Sequence, residues 1–157
     1  MHLTRKSSYG LIAALELANR GASRPVSAGS IAEKYALPSP FVGKILHELK
    51  ASGLVAGQKG RGGGYTLTAD PATLSVRRIL EALGESLDLV GCLGPEPACH
   101  LVPTCPTKQA WERADRRFKE LLDSISLRDF LAPQPGRPKA DRRKDSPPAK
   151  LVREGDL

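Results

Sequence analysis

Residues 39–67, SPFVGKILHELKASGLVAGQKGRGGGYTL, decide the fold. Ser39 can cap a helix, and Pro40 then falls at its first position, where a missing N–H costs nothing. Phe41, Ile45 and Leu49, with Leu46, form an inward apolar stripe. Pro40, Gly43, Lys44 and His47 recur at i, i+3, i+4 and i+7 on the opposite side. The helix is expected to run to about Ser52 and to stop at Gly53. Leu54-Val55-Ala56 and Tyr65-Thr66-Leu67 then read as two short strands. The glycine-dense, basic run GQKGRGGG at 57–64 between them reads as a hairpin tip, and Asp70-Pro71 closes the unit.

Upstream, residues 4–20 carry Leu11, Leu15 and Ala18 with helical spacing, and Ile12 beside them. Thr4 is the expected cap and Gly21 the stop. A short helix at about 28–36 follows, capped by Ser27, with Ile31, Ala32 and Tyr35 on one face. Ala36-Leu37-Pro38 is the turn into the third helix. Three short helices followed by a basic-tipped hairpin make a winged helix-turn-helix, whose third helix lies in a DNA major groove. Lys44 and His47 are placed for base edges or phosphates, while Pro40 and Gly43 are small enough for close approach. Ser39 is placed for a phosphate at the helix start. Lys59 and Arg61 sit on the wing, and an arginine at such a tip suits a narrow minor groove.

Downstream, Val76, Ile79, Leu80 and Leu83 mark a helix at about 75–83. A loop-like stretch at 84–106 follows. A longer helix at about 107–123 then carries Trp111, Ala114, Phe118, Leu121 and Leu122 on one stripe. Residues 132–157, with five prolines and few large apolar residues, read as a disordered basic tail.

Charge supports a polyanionic partner. The 157 residues carry a net charge of +7, and residues 1–61 alone hold nine Lys/Arg against three Asp/Glu. No stretch of 18 apolar residues is present, which argues against a membrane-spanning helix. No apolar core follows the Arg-Lys pair near the start, so a cytoplasmic location is expected.

All three cysteines fall between positions 92 and 105, in CLGPEPACHLVPTC, with six and then five residues between successive thiols. An odd number in a chain without an export signal argues against a disulfide framework. Prolines and Gly94 make the stretch a turning loop able to wrap thiolates round one centre. Soft thiolates select zinc, copper(I) or iron–sulfur. Zinc sites use a close cysteine pair, which is missing here. Three thiolates with an open or foreign fourth ligand fit an iron–sulfur cluster, [2Fe–2S] or [4Fe–4S], held by Cys92, Cys99 and Cys105. The competing reading is a zinc or cysteine-thiol redox switch without a cluster. No His/Asp set surrounds the thiols, so a cysteine-nucleophile enzyme is not the expectation.

The chain resembles the Rrf-type bacterial transcriptional regulators, the family of the iron–sulfur cluster regulator and the nitric-oxide-sensitive repressor. The resemblance rests on LTRKSSYGLIAALELA, IAEKYALPSPFVGKILHELKASGLV, the wing GRGGGYTL, VRRILEAL, the three cysteines, and TKQAWERADRRFKELLDSISLRDF. It covers residues 1 to about 131. It implies a mainly α fold with a small β-hairpin: a winged helix-turn-helix DNA-binding domain plus a long C-terminal dimerisation helix. The divisions are then 1–83 for the DNA-binding domain, 84–106 for the cluster loop, 107–131 for the dimerisation helix and 132–157 for the tail. It further implies a homodimer, a repressor on a two-fold symmetric DNA operator, with the cluster on Cys92, Cys99 and Cys105. In the iron–sulfur cluster regulator a histidine three residues after the last cysteine completes the site. Lys108 stands there in this chain. Ser7 and Ser8 occupy the stretch where the nitric-oxide-sensitive relatives recruit an acidic residue. His100 and Glu96 are the local alternatives for a fourth ligand.

Overall fold

A computed structural model describes residues 4–94 and 99–131. Its helices are α1 (Arg5–Arg20), α2 (Ala28–Tyr35), α3 (Ser39–Ala51), α4 (Val76–Ala82) and α5 (Lys108–Ser124). A hairpin of β1 (Val55–Gln58) and β2 (Gly64–Leu67) lies between α3 and α4. Two single 3-10 turns, Gly91–Leu93 and Leu127–Phe130, flank α5 in sequence. The expected basic tail lies outside the described residues. No helix among the described residues is long and apolar enough to cross a membrane.

Local chemistry sets the helix starts. The side chains of Thr4, Ser27 and Ser75 accept from the backbone N–H groups of Ser7, Ser30 and Arg78, satisfying donors that a first turn leaves unpaired. The third helix departs from the sequence reading. Pro38, not Ser39, occupies its cap position, because the Phe41 and Val42 N–H groups donate to the Pro38 carbonyl at 3.0 and 3.1 Å. Ser39 is therefore the first helical residue and Pro40 the second.

One core joins α1, α2, α3, the hairpin and α4. Its fully buried members include Leu17, Ile31, Ile45, Leu46, Leu49, Leu54, Leu74 and Ile79. The buried face of α3 is Val42, Ile45, Leu46 and Leu49; Phe41 is only half-buried and packs edge-on against Tyr9, with ring centroids 5.8 Å apart. The α1 stripe is likewise rotated from the one expected. Gly10, Ala13, Ala14 and Leu17 face the core, while Leu11, Leu15 and Ala18 seal its edges. Close helix approach selects the small residues: a Cβ at Gly10 would stand 2.3 Å from Leu83 Cδ1.

α1 also buries Glu16, whose side chain is 2 % exposed. Burial pushes its carboxyl up, but hydrogen bonds from Lys34, Tyr35 and Arg20 outweigh that and hold it below the ordinary range. Tyr35 thus faces a buried carboxylate with its hydroxyl while the residue is 36 % exposed, rather than lying in the apolar face expected of it.

The chain after α5 returns to the core. The Val76 N–H donates to the Ile125 carbonyl, and the Leu127 N–H to that of Leu74, at 2.9 and 2.8 Å. Leu127 is completely buried. The far end of α5 is thereby fixed to the core that α1–α4 and the hairpin share.

Candidate nucleic-acid interface and thiol site

Opposite the buried face of α3, Ser39, Pro40, Lys44 and His47 are exposed and Gly43 is half-buried. A Cβ at Gly43 would meet nothing within 4 Å, so packing within this chain does not require glycine there. Glu48 on α3 pairs with Lys6 of α1 at 3.3 Å, which helps fix the helix on its support.

The strands of the hairpin pair antiparallel, Val55 with Leu67 through Gln58 with Gly64. Lys59 and Arg61 lie on the connecting turn and are exposed. The glycines there have folding reasons of their own. Gly62 has φ +80°, and a Cβ at Gly64 would lie 2.6 Å from the carbonyl of Val26, whose backbone pairs with Tyr65. Lys50, not singled out from the sequence, spans helix and wing: its Nζ lies 3.2 Å from where a Cβ on Gly57 would be.

At the other end, Cys92, Cys99 and Cys105 line one small cavity with Val102 and Lys108. All three are free thiols; Cys92 and Cys105 are half-buried and Cys99 is exposed. Cys92 sits on the 3-10 turn Gly91–Leu93, and Cys105 stands just before α5. The Thr107 hydroxyl, 3.3 Å from Cys105 Sγ, favours the thiolate. With the Thr107 and Lys108 backbone N–H groups, and the Lys108 ammonium, it holds Cys105 below the usual thiol range. Among the described residues no three His, Cys, Asp or Glu side chains are gathered tightly enough for a single metal ion. The donor set, three thiols on one cavity, nonetheless has the soft chemistry an iron–sulfur cluster takes. Lys108 lines the cavity too, but its ammonium carries no free lone pair and it pairs loosely with Glu112 at 3.9 Å.

The local alternatives do not join this set. His100 is exposed and is not among the cavity-lining residues, and Glu96 lies outside the described residues. Ser7 is fully buried and donates to Glu85 Oε1 at 2.5 Å, so its hydroxyl is used inside the fold.

Residues 3–133 match the Rrf2 family, described as "Iron-dependent Transcriptional regulator". The chain belongs to the Rrf2 family. Among Rrf2 relatives, the transcriptional regulator IscR of Aliivibrio salmonicida is 31% identical over 143 residues, 91% of this chain and 84% of that one. The solved structure of T. potens IscR superimposes with a TM-score of 0.64 at 32% identity, covering 83% of this chain and 86% of that one. CymR, the global cysteine regulator of B. subtilis, gives a TM-score of 0.68 at 30% identity over 83% of this chain and 95% of that one. The mainly α winged-helix architecture is common to these Rrf2 regulators, and the relatives are transcriptional regulators rather than enzymes.

Proposed function

We propose that this chain is a homodimeric repressor whose binding to a two-fold symmetric DNA operator is controlled by an iron–sulfur cluster on Cys92, Cys99 and Cys105. The observation that carries the reading is the convergence of three free thiols on one cavity at the start of α5. Support comes also from the relatives named IscR within an iron-dependent family. When bound, a cluster supplies a centre sensitive to oxygen, nitric oxide and redox state. The chain's own part is to present three thiols, with the Thr107 hydroxyl favouring the thiolate at Cys105, and to leave the fourth position to a small molecule rather than to Lys108. Residues 1–83 form the DNA-binding unit in this reading, 84–106 the sensing loop and 107–131 the dimer element.

The test is anaerobic reconstitution of the reduced chain with ferrous iron and sulfide. Iron, sulfide and visible absorption are measured, followed by titration of DNA selected from a random pool. We expect a coloured protein whose DNA affinity differs several-fold from the metal-free form, a coupling of about 1–3 kcal/mol. Colourless protein carrying one zinc per chain would replace the cluster by a zinc or thiol switch. Loading without any change in DNA affinity would overturn the sensing role.

The DNA surface is tested separately from folding. Gly43→Leu is expected to leave the melting temperature unchanged or raised, since the site is open and leucine is the better helix former by up to about 1 kcal/mol. The same change should weaken DNA binding at least tenfold by blocking close approach of α3. Lys44→Ala should lower the salt slope of binding by about one, as expected for a lost phosphate contact. Arg61→Ala should weaken binding most where the minor groove is narrow. Unchanged affinity in all three would remove α3 and the wing from the interface.

A further inference from the structure

Twelve residues separate Cys92 from Cys105, yet both reach one cavity. Cys105 is placed by its nearness to α5: the Lys108 N–H donates to its carbonyl at 3.3 Å. Cys92 arrives from the opposite direction, along the strand of chain leaving α4, and something must bring that arm onto α5.

Asp115 does this. It is the buried polar residue of α5, 8 % exposed. Its Oδ1 accepts the Leu89 N–H at 2.9 Å, and its Oδ2 pairs with Lys119 Nζ at 2.8 Å. The same ammonium donates to Asp88 Oδ1 at 2.8 Å, and the Ser86 hydroxyl donates to the other Asp88 oxygen at 3.1 Å. Two successive residues of the arm, Asp88 and Leu89, are thus tied to two successive turns of α5. Burial pushes the Asp115 carboxyl up, but the bonds from Lys119 and Leu89 prevail and hold it below the ordinary range, so the clamp is ionised near neutrality. A leucine at 115 would fill such a place without desolvating charge. A buried network that is fully paired fixes one geometry where apolar packing would tolerate several.

We infer that Asp115 and Lys119 are positioning residues for the thiol site: they dock the 86–89 arm on α5 and so hold Cys92 against the cavity shared with Cys99 and Cys105. Neither touches a thiol. Leu89 lies three residues before Cys92. Without the clamp, the nearest firm anchor on that side is Leu87, buried against Val76 and Leu80 and five residues away. At about 3.3–3.6 Å per residue, the volume open to Cys92 would grow roughly fivefold. This placement stands apart from any metal; its consequence for cluster loading rests on the function proposed above.

The experiment uses the reduced, metal-free full chain and follows alkylation of each cysteine by N-ethylmaleimide, read by peptide mass spectrometry. In Asp115→Ala and Lys119→Met, the rate at Cys92 relative to Cys105 in the same molecule should rise at least threefold. Asp115→Asn, which keeps an acceptor for Leu89, should fall between, and Lys119→Arg should match wild type. General loss of stability would raise both thiols together and leave the ratio unmoved. An unchanged ratio in both Asp115→Ala and Lys119→Met would overturn the inference. Should Asp115→Ala fail to fold, Lys119→Met decides alone, since that side chain is 24 % exposed and the Asp115 carboxylate it leaves behind keeps the Leu89 N–H. Loading with ferrous iron and sulfide is then run on the same proteins. Wild type that takes up no cluster, with the Cys92 ratio still raised in the variants, would fail the proposed function and leave the clamp standing. Wild type that loads, with the ratio unmoved in the variants, would fail the clamp alone.

Discussion

Leu121→Asp is expected to convert the proposed dimer into a monomer while leaving each chain folded. Trp111, Ala114, Phe118 and Leu121 follow one another along α5 at spacings of three and four residues, the repeat of a coiled-coil seam. Trp111 is 43 % and Leu121 56 % exposed, whereas Leu122, one position on, turns inward against Val76, Leu80 and Leu87. The helix therefore has one side spent on its own chain and one without a partner among the described residues. Burying a leucine is worth about 1.5–3 kcal/mol, and across a two-fold axis each position counts twice. Replacing it by a carboxylate forfeits at least about 3–6 kcal/mol, or roughly a hundredfold to ten-thousandfold in dimer affinity. DNA binding should fall with it, because two linked reading heads exceed one by about 10²–10⁴. Sedimentation of Leu121→Asp, with Phe118→Asp beside it, measures the first effect and DNA titration the second. A Leu121→Asp chain that stays dimeric at micromolar concentration would move the interface away from α5.

The winged-helix order was legible because each signal there is local. Hydroxyl caps at Thr4 and Ser27, the Gly53 stop and the glycine-rich tip each act over a few residues, and the helices and hairpin formed where these stand. The rotation of α1 was not legible, since size misleads when helices touch. The apolar stripe with the largest side chains, at Leu11 and Leu15, marks the rim of the contact, and the tightest line runs through Gly10, Ala13 and Ala14. Ser39 failed as a cap because the proline before it offered its carbonyl one residue earlier. The return of Leu127 to the core depends on pairing with Leu74, more than fifty residues away, which no periodicity reports. A local hint did exist: Ser126 and Asp129 form a capping box that starts a turn there.

Much the same division holds at the thiol site. The three cysteines announced themselves by clustering in sequence, and they do share a cavity. Asp115 and Lys119 did not, because in a helix of alternating charge they look like an ordinary i, i+4 pair on a solvated face. Only the tertiary approach of Asp88 and Leu89 makes them a part-buried network.

Changing any one of Cys92, Cys99 or Cys105 to alanine should abolish the visible absorption of the loaded protein and fix DNA affinity at its metal-free value. With Lys108 in the cavity and no fourth protein ligand among the described residues at hand, the thiolates would supply all of the chain's covalent hold on iron. Two remaining thiolates would hold a cluster too weakly to keep it from water and oxygen. The fold should not notice the change. None of the three belongs to the hydrophobic core, and Cys99 is exposed, so truncation creates no cavity of the kind that costs several kcal/mol. Melting temperatures within a few degrees of wild type, and an unchanged sedimentation coefficient, would therefore accompany complete loss of colour. DNA binding carries the decisive comparison. If the loop reports to α5, the alanine variants should bind DNA as metal-free wild type does, whether or not iron and sulfide are present. An alanine variant that still loads iron and still changes its DNA affinity on loading would show that the missing thiol is no ligand. Three such variants together would take the sensor out of residues 92–105 altogether.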